Sequence, residues 1–288
     1  MTWTLIVALS VGCIALLDNR HSLFSTPQWQ LTTAGANAIT FSILIGSALL
    51  TNAYLLLEEK DTSVFRKVVW TCSLIILAFF LAAANSRGPI LGFGISLLLI
   101  ITALLRRQRP SSLFINLLVV IGLPVLAIGT ALLAFPALPE MIAFKLSGLF
   151  TFSKSAGERL LLYSRALEYF LGSPVLGAGT GSMISHTGAY AHNMFLELAA
   201  ENGLPGLFFC GLFVASVLYY CFISVYRVQN PLCTLFSAYA LFYLTCAQFS
   251  MTLSHLKHLH FAAAFLVSLV MLANDASKAD KVFGGPGW

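Results

Sequence analysis

The stretch LFFCGLFVASVLYYCFISVY, residues 207–226, carries no charged side chain and stops at Arg227. It matches the ~20 apolar residues that a helix needs to cross the hydrocarbon core of a bilayer. Similar charge-free runs occupy residues 3–17, 31–57, 68–84, 90–105, 113–135, 232–253 and 259–273, which with the first makes eight candidate spans. The runs are continuous and not alternating, so they predict membrane helices and not the strands of a β-barrel. The 3–17 run is short for a span. It also lacks the basic leader and A-x-A site of a signal peptide, so it is read as a span.

The composition agrees with an all-α, polytopic bundle. Hydrophobic residues make up 58% of the chain, charged residues 9%, and mean hydropathy is +0.87, values outside the range of water-soluble domains. Lys60, Arg66, Lys67, Arg106, Arg107, Arg109, Arg227, Lys278 and Lys281 fall on one side of the expected spans, and Arg20, Arg87 and Lys257 on the short loops of the other. The positive-inside rule makes the first side cytoplasmic, with the C-terminus inside. The net charge of +5 is therefore explained by topology and anionic lipid, and no nucleic-acid partner is expected.

Three parts follow from this pattern: N-terminal spans over 1–135, a large outer loop over 136–206, and C-terminal spans with a cytoplasmic tail over 207–288. The six cysteines, Cys13, Cys72, Cys210, Cys221, Cys233 and Cys246, lie in or beside spans and form no C-x-x-C pair, so they read as small apolar residues. No charged residue falls within an expected span, where transporters and pumps place their ion ligands. Gly122-Leu123-Pro124 is the best candidate for a broken-helix transport site.

The outer loop holds the residues that can do chemistry. Glu140, Glu158, Glu168, Glu197 and Glu201 all fall in it. Ser153 or Ser155 is expected to cap a helix beginning near Glu158 and ending at Gly172-Ser173-Pro174. On that helix Arg159 and Tyr163 share a face, continued by Ala166 and Phe170, while Arg165 points toward Glu158 and Glu168 as a surface ion pair. Arg159 by itself reads equally well as a headgroup anchor. Arg87, in the turn Asn85-Ser86-Arg87-Gly88-Pro89 on the same face, has the same alternative.

Gly177, Gly179 and Gly181 imitate a phosphate loop, but no strand precedes them, and a flexible turn that brings backbone close to a ligand is the better reading. His192-Asn193 then enters a second helix that is expected to stop at Gly203, with Pro205 beyond. An imidazole at a helix N-terminus resists protonation and can accept a proton. A lone histidine is nonetheless more often a structural hydrogen-bonding group. His255, His258 and His260 around Lys257 match no metal-binding spacing and read as an outer connector.

Arg159 with Tyr163 and Ala166-Leu167, then Ser173-Pro174-Val175-Leu176-Gly177-Ala178-Gly179, then His192-Asn193 and Glu201-Asn202-Gly203-Leu204-Pro205-Gly206 together resemble the O-antigen ligase and polymerase superfamily. Ser86-Arg87-Gly88 is similar to that family's other arginine motif, and the resemblance runs from about residue 68 to 253. It implies a glycosyltransferase of the bacterial inner membrane, active on the periplasmic face. Such an enzyme transfers a glycan from undecaprenyl diphosphate to a hydroxyl acceptor such as the lipid A core, with no cofactor and no metal. It implies His192 as general base, Arg159 and Arg87 as holders of the diphosphate, and Tyr163, Gly177, Gly179, Asn193 and Glu201 as substrate-binding residues.

Family members carry more spans before this part, so the chain is expected to be short at its N-terminus. A polymerase would carry a second large outer loop, and the longest other one here is residues 18–30, which favours the ligase of lipopolysaccharide biosynthesis. Glycan polymerisation, glycan transfer to protein hydroxyls, and, from another class, a lipid-carrier transporter or an inactive truncated relative remain the alternatives.

Overall fold

The structure, a computed structural model, describes residues 2–19, 31, 37–58, 63–84, 86–107, 122, 154–249 and 256–283. The span expected over 113–135, the candidate at Leu123-Pro124, and Asn85, Glu140, Ser153 and His255 lie outside the described residues.

The described residues are almost wholly helical, with no strand among them. Among the described residues, six helices are long and apolar enough to cross a membrane: α2 (Ala38–Glu58), α3 (Val64–Ala83), α4 (Arg87–Arg107), the stretch Met194–Val228, Pro231–Phe249 and Lys257–Ala276. The first helix, α1 (Thr2–Asp18), is apolar but shorter. The protein is thus a multi-pass helical membrane protein.

Capping explains where the helices depart from the expected runs. The Asn37 Oδ1 accepts hydrogen bonds from the Thr40 amide at 2.8 Å and the Thr40 hydroxyl at 3.0 Å, so α2 starts at Ala38 and not at Leu31. Ser63 caps α3 by accepting from the Arg66 amide at 3.4 Å, which brings the basic pair Arg66-Lys67 into the first turn. Arg87-Gly88-Pro89, expected as a turn, is the first turn of α4, where proline's missing N–H costs nothing.

The chain divides into two compact units, one of residues 1–94 with 108–158 and one of residues 95–107 with 159–288. In the first, α1, α2 and α3 pack against one another, and α2 is buried on nearly every side. Asn52 is fully buried in α2, and its side-chain amide donates to the Trp70 carbonyl at 3.0 Å, an interhelical bond of the kind that holds membrane helices in register. Gly12 of α1 sits against the Phe80 ring of α3, and a Cβ there would overlap the ring. Gly12→Leu is therefore expected to push α1 off α3 and lower the thermal unfolding midpoint in detergent. An unchanged midpoint would show that the Gly12–Phe80 contact contributes nothing.

In the second unit the helices are α5 (Lys154–Gly172), α6 (Ser182–Thr187), α7 (Met194–Ile223), α8 (Pro231–Phe249) and α9 (Lys257–Phe283). A π-helical turn, Ser224–Val228, closes α7. Asn230 Oδ1 then caps α8 through the amides of Leu232 at 2.8 Å and Cys233 at 3.4 Å, with Pro231 at the first helical position. Helices α7, α8 and α9 pack together, and Phe236 of α8 stacks on Phe265 of α9 at 5.1 Å. The Arg107 guanidinium donates to the Thr234 hydroxyl at 2.7 Å, and Arg106 lies over the Tyr226 ring at 4.6 Å. All six cysteines are free, and the four in α7 and α8 are buried.

Candidate active site

The site is built on one break in a helix. Helix α7 runs from Asn193, which caps it by accepting from the Leu196 amide at 3.0 Å, to Gly203, whose backbone (φ 63°, ψ −149°) is non-helical. The helix resumes at once through Pro205, so the stop expected at Gly203 is present, but as a kink between two helical halves. A helix that ends leaves its last carbonyls without intrahelical donors. Two of these are taken by the glycine turn: the Ala178 amide donates to the Ala200 carbonyl at 2.8 Å and the Gly179 amide to the Glu201 carbonyl at 2.9 Å. In return the Leu204 amide donates to the Pro174 carbonyl at 2.8 Å.

Side chains have no room at this junction. A Cβ on Gly203 would lie 2.7 Å from the Gly177 nitrogen and from the Pro174 and Val175 oxygens, and one on Gly206 would lie 2.7 Å from the Leu198 oxygen. A Cβ on Gly177 would strike the Glu201 and Asn202 backbone. The resemblance to a phosphate loop therefore ends here, because the amides of Gly177, Ala178 and Gly179 are used by the chain's own carbonyls, Gly177 donating to Ser173 at 2.8 Å. Gly177 approaches its own backbone closely. Gly179, at φ 100°, has open space where a side chain would be.

Helix α5 docks on this junction through Ala166, which is buried with Met183, Ala191 and Ala200 and flanked by Tyr169 and Leu196. It is described from Lys154, so Ser155 lies inside the helix. Arg165 forms the expected surface pair with Glu168, at 2.9 Å. Arg159 and Tyr163, half-buried, lie on the side of α5 nearer the core. Glu201, 4% exposed, accepts from the Met183 amide at 3.3 Å and so ties α6 to α7.

His192 immediately precedes the cap and holds a left-handed backbone, φ 54°. Histidine tolerates that region better than most residues, but non-glycine residues there carry strain of about 1–3 kcal/mol. The imidazole is half-buried, its ring centroid is 4.5 Å from that of Tyr190, and its Nδ1 is buried with no hydrogen-bond partner among the described residues. Burial first, and the Arg159 charge second, hold its pKa below the ordinary 6.5. The direction is the one expected from the helix terminus, but the causes are burial and a neighbouring guanidinium. Asn193 anchors the segment by donating to the Gln248 carbonyl of α8 at 3.3 Å.

Below this segment lies a groove of about 570 Å³, walled by Leu176, Met194, Leu198, Phe209, Phe213 and His260. His260 packs on Phe213 at 5.2 Å and His258 on Tyr243 at 5.5 Å, so these two serve the α7–α8–α9 packing. The second unit holds Arg159, Tyr163, Gly177, Gly179, His192, Asn193 and Glu201, with the Arg159 charge acting on His192 and Gly177 and Gly179 against the Glu201 backbone. Arg87 belongs to the first unit, exposed at the start of α4. Sequence reading missed Tyr190 as the ring against His192. It also missed the glycine turn as the partner of the helix break. The second was legible in principle, since a short helix stopped at Gly203 must find donors for its carbonyls.

Membrane-crossing helices together with a histidine of lowered pKa beside an arginine define a multi-pass protein with a polar site next to its spans. Residues 72–211 match the family described as O-antigen ligase, so this stretch is similar to the glycosyltransferase-like ligases and polymerases of that superfamily. The match takes in Arg87, Arg159, His192 and Gly203–Gly206, and is narrower than the 68–253 of the sequence resemblance. No curated protein matches the chain.

Proposed function

We propose that the protein is a glycosyltransferase that moves a glycan from undecaprenyl diphosphate to a hydroxyl of the lipid A core, on the periplasmic face of the bacterial inner membrane. The observation that carries this reading is the pairing of Arg159 with a half-buried His192 held below its ordinary pKa. A neutral imidazole can take the acceptor's proton, and a guanidinium can hold the leaving diphosphate. The acceptor oxygen attacks the sugar's C1, the C1–O bond breaks with its electron pair passing to the diphosphate, and the acceptor proton passes to His192.

Negative charge on the diphosphate grows as that bond breaks, and a permanently charged, forked guanidinium is suited to stabilise it. Arg87 is assigned the same role from the family resemblance, and Tyr163 and Gly179 are assigned to substrate binding. The metal-independence of the reaction rests on the same resemblance. The apolar groove beside Met194 and Leu176 fits a donor carried on a hydrocarbon chain. The positive-inside count supports the periplasmic placement of the site and a cytoplasmic C-terminus.

The test is glycan transfer in proteoliposomes supplied with undecaprenyl diphosphate-linked glycan and lipid A core, with a chelator present. Wild type should transfer. Arg159→Ala should lose about 10²- to 10³-fold in kcat, as for removal of one preorganised donor. Transfer unaffected by Arg159→Ala, or none by folded wild type, would overturn the reading. Carrier binding without turnover in wild type would favour a transporter.

A further inference from the structure

We infer that α5 lies in the headgroup layer of the bilayer, with the stripe Leu160, Leu167 and Leu171 turned into lipid. These residues recur at helical spacing on one side of α5 and are 50%, 49% and 66% exposed. Ser164, which falls in the same stripe, donates its hydroxyl to the Leu161 carbonyl at 2.8 Å and so presents no free donor there. The opposite side is committed to the core through Ala166. A helix with an apolar face and a charged face lies in the interface plane, its apolar face sunk about 5–10 Å into the headgroup and acyl boundary.

Lipid is named as the occupant because the stripe continues the exposed apolar surface of a helix long and apolar enough to cross a membrane. The Leu204 amide of α7 donates to the Pro174 carbonyl at 2.8 Å, just past the end of α5. That bond pins the end of α5 to the start of the second half of α7, just past the break at Gly203, within a stretch long and apolar enough to cross a membrane. Val175 beside it, and Leu204 and Phe208 on α7, are exposed as well. The end of the stripe is therefore held at the depth where the spanning half of α7 enters the bilayer.

At 3.6 residues per turn, the charged residues Glu158, Arg165 and Glu168 occupy one edge of the stripe, where they can face water. The row Arg159, Tyr163 and Phe170 falls on the other edge, between the stripe and Ala166. Resting on the proposed function, this has a consequence for the substrate. It places the Arg159 guanidinium at headgroup depth, where the diphosphate of a lipid-anchored donor already lies, so the donor need not be lifted out of the membrane.

The test uses the full chain in liposomes with the exposed thiols removed (Cys13→Ser, Cys72→Ser) and nitroxide labels at Leu167→Cys, Leu171→Cys and Glu168→Cys. Labels at 167 and 171 should collide with oxygen and be shielded from a water-soluble nickel chelate, with an oxygen-to-nickel ratio several-fold above that at 168. Equal nickel access at all three positions would overturn the inference in favour of a water-facing helix. Shielding of 167 and 171 from both agents would overturn it in favour of a protein cover, such as a second copy. The readout needs no catalysis: if transfer fails while the labels report lipid, the functional reading falls and the interfacial helix stands.

Discussion

Replacement of His192 by alanine should abolish measurable glycan transfer, with a loss of about 10²- to 10⁴-fold expected for removal of a general base. Binding of the lipid-linked donor should be retained, which separates loss of catalysis from loss of the site. The pH profile makes the prediction sharper. His192 acts as a base only when neutral, and its pKa lies below 6.5 because burial and Arg159 both disfavour the cation. Transfer should therefore be full above 6.5 and fall on an acid limb below it.

Arg159→Ala removes one of the two causes and should move that limb upward, while Arg159→Lys keeps the charge and should leave it near its place. Both variants should slow transfer, since lysine lacks the fork that matches a diphosphate. An acid limb at the same pH in wild type and Arg159→Ala would show that the guanidinium does not act on the imidazole. Stability follows the same sign. The unfolded chain takes up the proton first as pH falls, so the contribution of neutral His192 is complete above 6.5 and is lost toward its lower folded value.

The second large effect concerns the helix break. Gly203→Ala should disrupt the junction, because φ 63° with ψ −149° is a region open almost only to glycine, a cost of about 1–3 kcal/mol from the backbone alone. The added Cβ would also press on three backbone atoms at 2.7 Å, which belong to a chain segment fixed by its own hydrogen bonds. Gly177→Ala should behave alike, for it meets the Glu201 and Asn202 backbone from the other side. Gly211→Ala, in the spanning half of α7 with nothing within 4 Å of its Cβ, is the control and should be neutral or slightly stabilising. Thermal unfolding in detergent and protease cleavage over 173–182 report the difference. A Gly203→Ala variant as stable as Gly211→Ala would contradict the interlock.

Much of this molecule is legible along the chain because lipid imposes a strict local condition. A segment that crosses a bilayer must satisfy its backbone internally and carry apolar side chains over its whole length. The helices α2, α3, α4, α7, α8 and α9 are therefore readable as runs, and caps such as Asn37 and Ser63 move their starts by a few residues. The helix ending at Gly172, the cap at Asn193 and the stop at Gly203 are local too, and each follows from the conformational preferences of the residues at those positions. The surface pair of Arg165 and Glu168 follows from their spacing on one helix.

What the sequence alone determined, then, is an all-helical membrane protein, and the resemblance of the motifs within residues 72–211 to the O-antigen ligase family. Tertiary structure alone decided how those motifs are used. The glycine turn serves the open end of a broken helix, and burial beside Arg159 lowers the imidazole's proton affinity. Each of these depends on groups far apart in sequence meeting in space, and hydrogen-bond demand, burial and Coulomb interaction are properties of that meeting, which no local pattern encodes.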